Sequence, residues 1–251
     1  LVPVNATVPA VPATDVAAVL ARFPGCTTAK VKVAQAGQSL ADDLDRVAAV
    51  RELLGADGRV RVDANAAWSL DDALRAVTAL STYDLEYVEQ PCASVADLAA
   101  LRRALARAGV EVRVAADESV RKAEDPLQVA LAGAADVVVL KVAPLGGVAR
   151  ALEVAQACGL PVVVSSALDT SVGISAGVAL AAALPELPFA CGLATTSLMA
   201  ADVVRRSLDG HGGAIAVGTV EPDPALLAEL AAPPDRQQWW HARLSRCAVL
   251  L

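Results

Sequence analysis

Histidine, aromatic residues and paired cysteines are scarce in this chain. Its 251 residues include two histidines, His211 and His241, both near the C-terminal end, and aromatic residues make up 3%. The five cysteines (Cys26, Cys92, Cys158, Cys191, Cys247) are scattered, odd in number and without a CxxC pair. That usage suits a reducing cytoplasm, with thiols acting as small buried hydrophobes. Basic clusters are missing too, and a formal charge of -7 argues against a nucleic-acid partner. Charge-free runs such as Val172 to Leu184 fall short of a membrane span. The chain opens without a basic segment leading into an apolar one, so no secretory signal is expected.

Alanine and valine are plentiful. Hydrophobic residues make up 55% of the sequence, the composition of closely packed helices and strands, in a chain long enough for one large domain. Apolar periodicity alternates between strand and helix spacing from end to end. Strands are predicted at Val2–Val8, Thr28–Val33, Arg59–Asp63, Leu85–Glu89, Val112–Ala116, Asp136–Val142, Pro161–Val164 and Leu187–Cys191. Helices are predicted at Ala13–Arg22, Leu40–Leu54, Leu70–Leu80, Val95–Arg107, Pro126–Ala132, Gly146–Cys158 and Ser171–Leu184, with Ser69 and Ser94 as caps.

This α/β alternation predicts a TIM-like (β/α)8-type barrel. A doubly wound sheet would carry a glycine-rich phosphate turn after its first strand, whereas here that strand runs into Pro9. Past the eighth predicted strand the pattern fades into a segment with Pro222, Pro224, Pro233 and Pro234 and a tail with Trp239 and Trp240. Residues 1–205 are expected as the barrel, and 206–251 as a segment that packs on something outside it.

Lys30 and Lys32 lie two apart on the second predicted strand, so they project from one face. The opposite face is apolar, which places the strand in a helix-covered sheet and turns both ammonium groups inward. Lysines persist there only when paired or used. An exposed edge strand with two solvated lysines is the alternative, and the carboxylates that follow decide between them. In a barrel, side chains at the C-terminal strand ends converge on one mouth. Lys32, Asp63, Glu89, Asp117, Lys141 and Ser165 sit at such ends, 24 to 31 residues apart, each gap about one strand-plus-helix unit. Singly, Asp63 or Asp117 reads as a cap or turn residue, and Glu89 before Gln90-Pro91 as a strand end. Lys141, after four apolar residues, has no such ordinary role.

Three carboxylates pressed together repel unless a cation neutralises them, and an all-oxygen set suits Mg²⁺, with Mn²⁺ as a possible substitute. Such an ion on a substrate carboxylate stabilises the enediolate left by removal of an α-proton. Lys32 and Lys141 fall about four strands apart, one on each face of a bound substrate. The charge of Lys30 would help keep Lys32 neutral enough to act as a base.

Lys30-Val-Lys32, Asp63-Ala-Asn65, Val88-Glu-Gln-Pro91, Ala116-Asp-Glu-Ser119 and Val139-Leu-Lys-Val142 resemble the enolase superfamily, muconate-lactonising subgroup. Val4–Pro9, Thr28–Val33, Tyr87–Cys92 and Ser165–Gly173 resemble more closely the o-succinylbenzoate synthase family of the actinobacterial type, over roughly residues 2 to 205. The resemblance implies a modified (β/α)7β barrel with Asp63, Glu89 and Asp117 as Mg²⁺ ligands. Lys32 would be the base and then the acid of a syn dehydration giving o-succinylbenzoate, in menaquinone biosynthesis. Lys141 would stabilise the intermediate. It further implies that Lys30, Asn65, Glu118, Ser165, Ser166 and Gly192 support the site or line the substrate side. The partner is a small carboxylate, with no nucleic acid or membrane, and a monomer is expected. Members of the superfamily carry an N-terminal α+β capping domain; this chain opens almost at its first strand, so that domain is expected to be largely missing from it, with Trp239 and Trp240 as the piece that packs on it.

Other activities stay open. Two opposed lysines equally permit 1,1-proton transfer, as in N-acylamino acid racemisation, and a metal-binding barrel without turnover is a further alternative. Muconate cycloisomerisation is less favoured. The positions of His211 and His241 argue against a histidine–aspartate dyad, and Cys191–Ser197 lacks the Asp-x-Asp of dipeptide epimerases.

Overall fold

A computed structural model describes residues 1–121 and 127–249. Seven strands form one parallel sheet in sequence order: β2 (Ala6–Val8), β3 (Thr28–Lys32), β4 (Arg59–Asp63), β5 (Leu85–Glu89), β6 (Val114–Ala116), β7 (Val137–Leu140) and β8 (Val162–Val164). A preceding strand, β1 (Val2–Pro3), pairs antiparallel with β9 (Ala214–Ile215). The helices are α1 (Val16–Leu20), α2 (Leu40–Leu54), α3 (Leu70–Leu80), α4 (Val95–Arg107), α5 (Glu118–Arg121), α6 (Gln128–Leu131), α7 (Val142–Leu145), α8 (Val148–Cys158), α9 (Ser171–Ala183), α10 (Pro224–Glu229) and α11 (Pro234–Ala248). Among the described residues no helix is long and apolar enough to cross a membrane.

The sheet curls until its ends meet. Val4 bridges Cys191 and Ser165 bridges Gly192, both in parallel sense, so residues 191–192 occupy the eighth position between β8 and the N-terminal strands. This corrects the expected eighth strand at Leu187–Cys191, of which only the last residue pairs. Pro188 has no N–H to give a ladder, and the hydrogen bonds begin at Cys191 N, which donates to Pro3 O at 2.7 Å.

Other boundaries move by a few residues. Val2–Val8 breaks into β1 and β2, and Ala13–Arg22 becomes a short 3₁₀ turn (Ala13–Asp15) followed by α1. Asp136–Val142 divides into β7 and α7, with Lys141 in extended conformation between them. The expected helix start at Pro126 lies outside the described residues. The intervals α2, α3, α4, β4 and β5 fall where the pattern put them, and Ser39, Ser69 and Ser94 each accept a backbone N–H three residues on.

Alternation along each strand separates two cores. Val31, Val62, Val88, Val114, Val138, Leu140, Val162 and Val164 face outward into the layer beneath the helices. Tyr87, Ala115, Val137, Val139, Val163 and Phe189 fill the barrel interior. The strand-end residues continue this inward series: Lys32 after Lys30, Asp63 after Arg61, Glu89 after Tyr87, Asp117 after Ala115, Lys141 after Val139 and Ser165 after Val163. Strand period thus aims every one of them at a single mouth.

Candidate active site

Six strands, β3 to β8, supply the mouth. Asp63 and Glu89 are direct partners in the β4–β5 register, and Lys32 is the partner of Asp63 across β3–β4. Asp63, Glu89 and Asp117 are almost completely buried. Lys30 Nζ donates to Glu89 Oε1 at 2.9 Å and lies 3.4 Å from Asp63 Oδ2. Lys32 Nζ donates to Asp63 Oδ2 at 2.5 Å and to Asn65 Oδ1 at 2.7 Å. Opposite, Lys141 Nζ donates to Asp117 Oδ2 at 2.6 Å. In the closed strand order β7 lies four strands from β3, so the two lysines approach from opposite sides. A cavity of about 390 Å³ opens between them, lined by Lys30, Lys32, Asp63, Lys141, Ser165, Ser166 and Gly192.

Electrostatics follows from the burial of so many charges. Burial pushes the Glu89 carboxyl up, the Asp63 carboxylate pushes it further, and Asp117 adds to this against the pull of Lys30, leaving it at about 7. Burial would raise Asp63 as well, but Lys30 and then Lys32 hold it down at about 2. Burial would lower Lys30, yet Glu89 and Asp63 together raise it above the ordinary lysine value. Lys30 therefore stands as a fixed positive charge beneath the mouth. Lys32 has 32% of its side chain exposed and Lys141 11%, so both reach the cavity.

Among the described residues no three histidine, cysteine or acidic side chains close on one point, and Lys30, Lys32 and Lys141 stand on the carboxylates. The donor set nevertheless fits a hard divalent cation. Three carboxylates end adjacent strands, and Glu89 Oε2 is buried without a hydrogen-bond partner.

Asn65 receives Lys32, its Nδ2 donates to Glu118 Oε1 at 3.3 Å, and its backbone N–H donates to Asp63 Oδ1 at 3.0 Å. Asn65 and Glu118 thus form a rim beside Lys32 rather than a wall of the cavity. Ser166 Oγ lies 2.7 Å from Thr195 Oγ1 and donates to Gly192 O. A Cβ on Gly192 would sit 2.6 Å from Ser165 Oγ, so a side chain there would force the serine to turn or the backbone to shift.

Sequence reading missed several contributors. Gln90 is fully buried beside Glu89. Arg46, buried on α2, donates to Lys32 O at 3.0 Å and to Asp43 Oδ1, while Asp43 Oδ2 accepts Ala34 N–H. An aspartate and an arginine three apart on the apolar face of α2 were the available signal. Thr7, Pro9, Ala167, Leu168, Thr195 and Leu198 complete the cavity. Left-handed backbone also marks the mouth. Of six non-glycine residues with positive φ among those described, Ala34, Asn65, Ala66, Gln90 and Leu168 follow barrel strands. A larger cleft, about 810 Å³, opens near Arg59 and Arg113 at the other end of the barrel, away from this constellation.

Residues 14–224 match the family described as Enolase C-terminal domain-like. The o-succinylbenzoate synthase of Mycobacterium leprae (strain TN) is 59% identical over the whole chain, which covers 72% of that protein. That of Mycolicibacterium smegmatis is also 59% identical over the whole chain, covering 75% of it. Among solved structures, a muconate cycloisomerase variant superposes with a TM-score of 0.79 at 23% identity over 92% of this chain and 66% of its own, a likeness of fold.

Proposed function

The chain belongs to the enolase C-terminal domain-like family, among its o-succinylbenzoate synthases, and we propose that its mouth dehydrates a succinyl-hydroxycyclohexadiene carboxylate to o-succinylbenzoate. It is an enzyme of the lyase class. The observation that carries the proposal is the placement of Lys32 and Lys141 on opposite sides of one cavity, each on a member of the carboxylate set at 2.5 and 2.6 Å.

Asp63, Glu89 and Asp117 would hold Mg²⁺, with Mn²⁺ as a substitute; when bound, the ion supplies positive charge to the substrate carboxylate. Lys32 Nζ, oriented by Asn65 Oδ1, takes the proton α to that carboxylate. The same ammonium then gives the proton to the departing hydroxyl, so water leaves on the face from which the proton was taken and the ring becomes aromatic. Lys32 returns to the amine. Lys141, from the other face, stabilises the negative charge that develops between the two steps. Ser165, Ser166 and Gly192 line the substrate side.

The pathway this product serves is menaquinone biosynthesis, and a cytoplasmic setting suits the scattered thiols. We assign residues 1–205 to the barrel. Residues 206–251 form a segment whose exposed Trp239 and Trp240 would pack on a capping domain, consistent with relatives longer than this chain.

The test is ultraviolet absorbance as the diene carboxylate aromatises, with Mg²⁺ and with excess chelator. Turnover abolished by chelator is expected; turnover indifferent to it would reject the proposal. The opposed lysines also suit a second reading, racemisation of N-acylamino acids. Deuterium uptake at the α-carbon of N-succinylamino acids, without aromatisation of the diene, would favour it.

A further inference from the structure

We propose that Gln90 is a positioning residue that sets where Asp117 stands, and thereby how tightly the mouth holds a divalent cation. The inference rests on the reading above that Asp63, Glu89 and Asp117 hold that cation.

Gln90 lies between two of the proposed ligands in space and next to one in sequence. Its Oε1 accepts the backbone N–H of Asp117 at 2.9 Å and that of Ser119 at 3.1 Å. Its Nε2 donates to Cys92 O at 2.9 Å and to Ser119 Oγ at 2.6 Å. Only a carboxamide meets all four demands: an oxygen with two lone pairs for two donors, and two N–H groups for two acceptors. A glutamate could receive the amides but could not donate to Cys92 O, and an apolar residue would leave every group unpaired.

The backbone of Gln90 is equally committed. Its N–H donates to Ala115 O and its carbonyl accepts Ala66 N–H, both at 2.7 Å. One residue therefore ties together the turn after β4, the end of β5 and the start of α5, the segments that carry Asp63, Glu89 and Asp117. Its φ of 38° is left-handed, an uphill conformation for a side-chain-bearing residue that persists only where the surroundings over-determine it. Filling the interior would require burial alone. Strain combined with two bonds to the peptide units at and just beyond the next carboxylate indicates alignment of that carboxylate.

The test uses the full chain and Mn²⁺ alone, followed by loss of the electron paramagnetic resonance signal of the free ion. The parent protein should bind, and Asp117→Asn should bind at least about tenfold more weakly. Gln90→Met keeps the bulk and removes all four side-chain bonds. It should weaken Mn²⁺ by about tenfold or more, as loss of groups supporting metal ligands does, while retaining a cooperative melt. A structural role alone would lower the melting temperature of Gln90→Met and leave the affinity of the folded protein unchanged. A folded Gln90→Met within about twofold of the parent therefore overturns the inference. Should that variant not fold, Ser119→Ala decides: it removes one bond, and should weaken Mn²⁺ about two- to fivefold, with unchanged affinity overturning the inference. No binding by the parent, or full affinity in Asp117→Asn, would remove the cation reading and this inference with it.

Discussion

Asp63 and Glu89 stand opposite one another on β4 and β5, and the single ammonium group of Lys30 serves both, at 3.4 and 2.9 Å. One positive charge shared by two buried carboxylates leaves negative charge in excess at that point. The neighbouring Lys32 and Lys141 offset it from above, on Asp63 and Asp117. A mouth held together this way should respond to pH and, on the reading proposed above, to divalent cations.

The pH response has a definite sign. Between the ordinary glutamate value near 4.5 and about 7, Glu89 keeps a proton when folded that it releases when unfolded. A carboxyl raised in this way loses stability as pH rises through that window. Asp63, held low, acts elsewhere: its contribution is present above its ordinary value of 3.8 and lost as pH falls toward about 2. Urea unfolding in chelator should therefore show stability declining from pH 5 to 8, and saturating Mg²⁺ should flatten the slope. A stability that rises over this range in chelator contradicts the description.

Arg61 supports the mouth from below. It is fully buried in the barrel, with Nε on Glu86 at 2.5 Å, Nη1 on Ala190 O at 2.7 Å, and its guanidinium 4.8 Å from the Tyr87 ring. Arg61→Ala would strip Glu86 of its partner and open a cavity, so a loss of about 3–5 kcal/mol is expected in urea unfolding. A loss below about 1 kcal/mol would mean that water takes over the arginine's role.

How far the sequence carried these conclusions depends on period. The strand alternation that buries Val62 and exposes Asp63 to the mouth is written in the residues themselves. So are the serine caps that start α3 and α4. What it left out depends on contacts between distant segments. The eighth barrel position rests on Cys191 meeting Val4, which proline-interrupted sequence does not announce. The work of Gln90 requires Asp117 to lie beside it in space, 27 residues further on. Arg46 reaches the carbonyl of Lys32 only once α2 has packed on β3.

Leu168 lines the cavity while 63% exposed, in a left-handed conformation with φ of 63°. Apolar surface held out toward a binding site at the expense of strain fits a role in contacting substrate. Leu168→Gly should relieve the strain, stabilising the protein by about 1 kcal/mol, and raise KM several-fold with kcat less affected. An unchanged KM would confine Leu168 to a surface role.

Gly192 offers a steric test of the closure between the eighth position and β8. Gly192→Ala brings a methyl group to 2.6 Å from Ser165 Oγ, so the serine must turn away or the backbone must shift. Melting temperature should fall and KM should rise together; a variant equal to the parent in both would show that the closure is looser than it stands here.

Whether Lys32 moves the proton is decided by comparing Lys32→Ala with the parent in the aromatisation assay under saturating Mg²⁺. A positioned general base contributes about 10²–10⁴-fold, so turnover should fall by at least that range while folding and Mn²⁺ binding persist. A folded, metal-binding Lys32→Ala that keeps turnover within about tenfold of the parent would contradict the account.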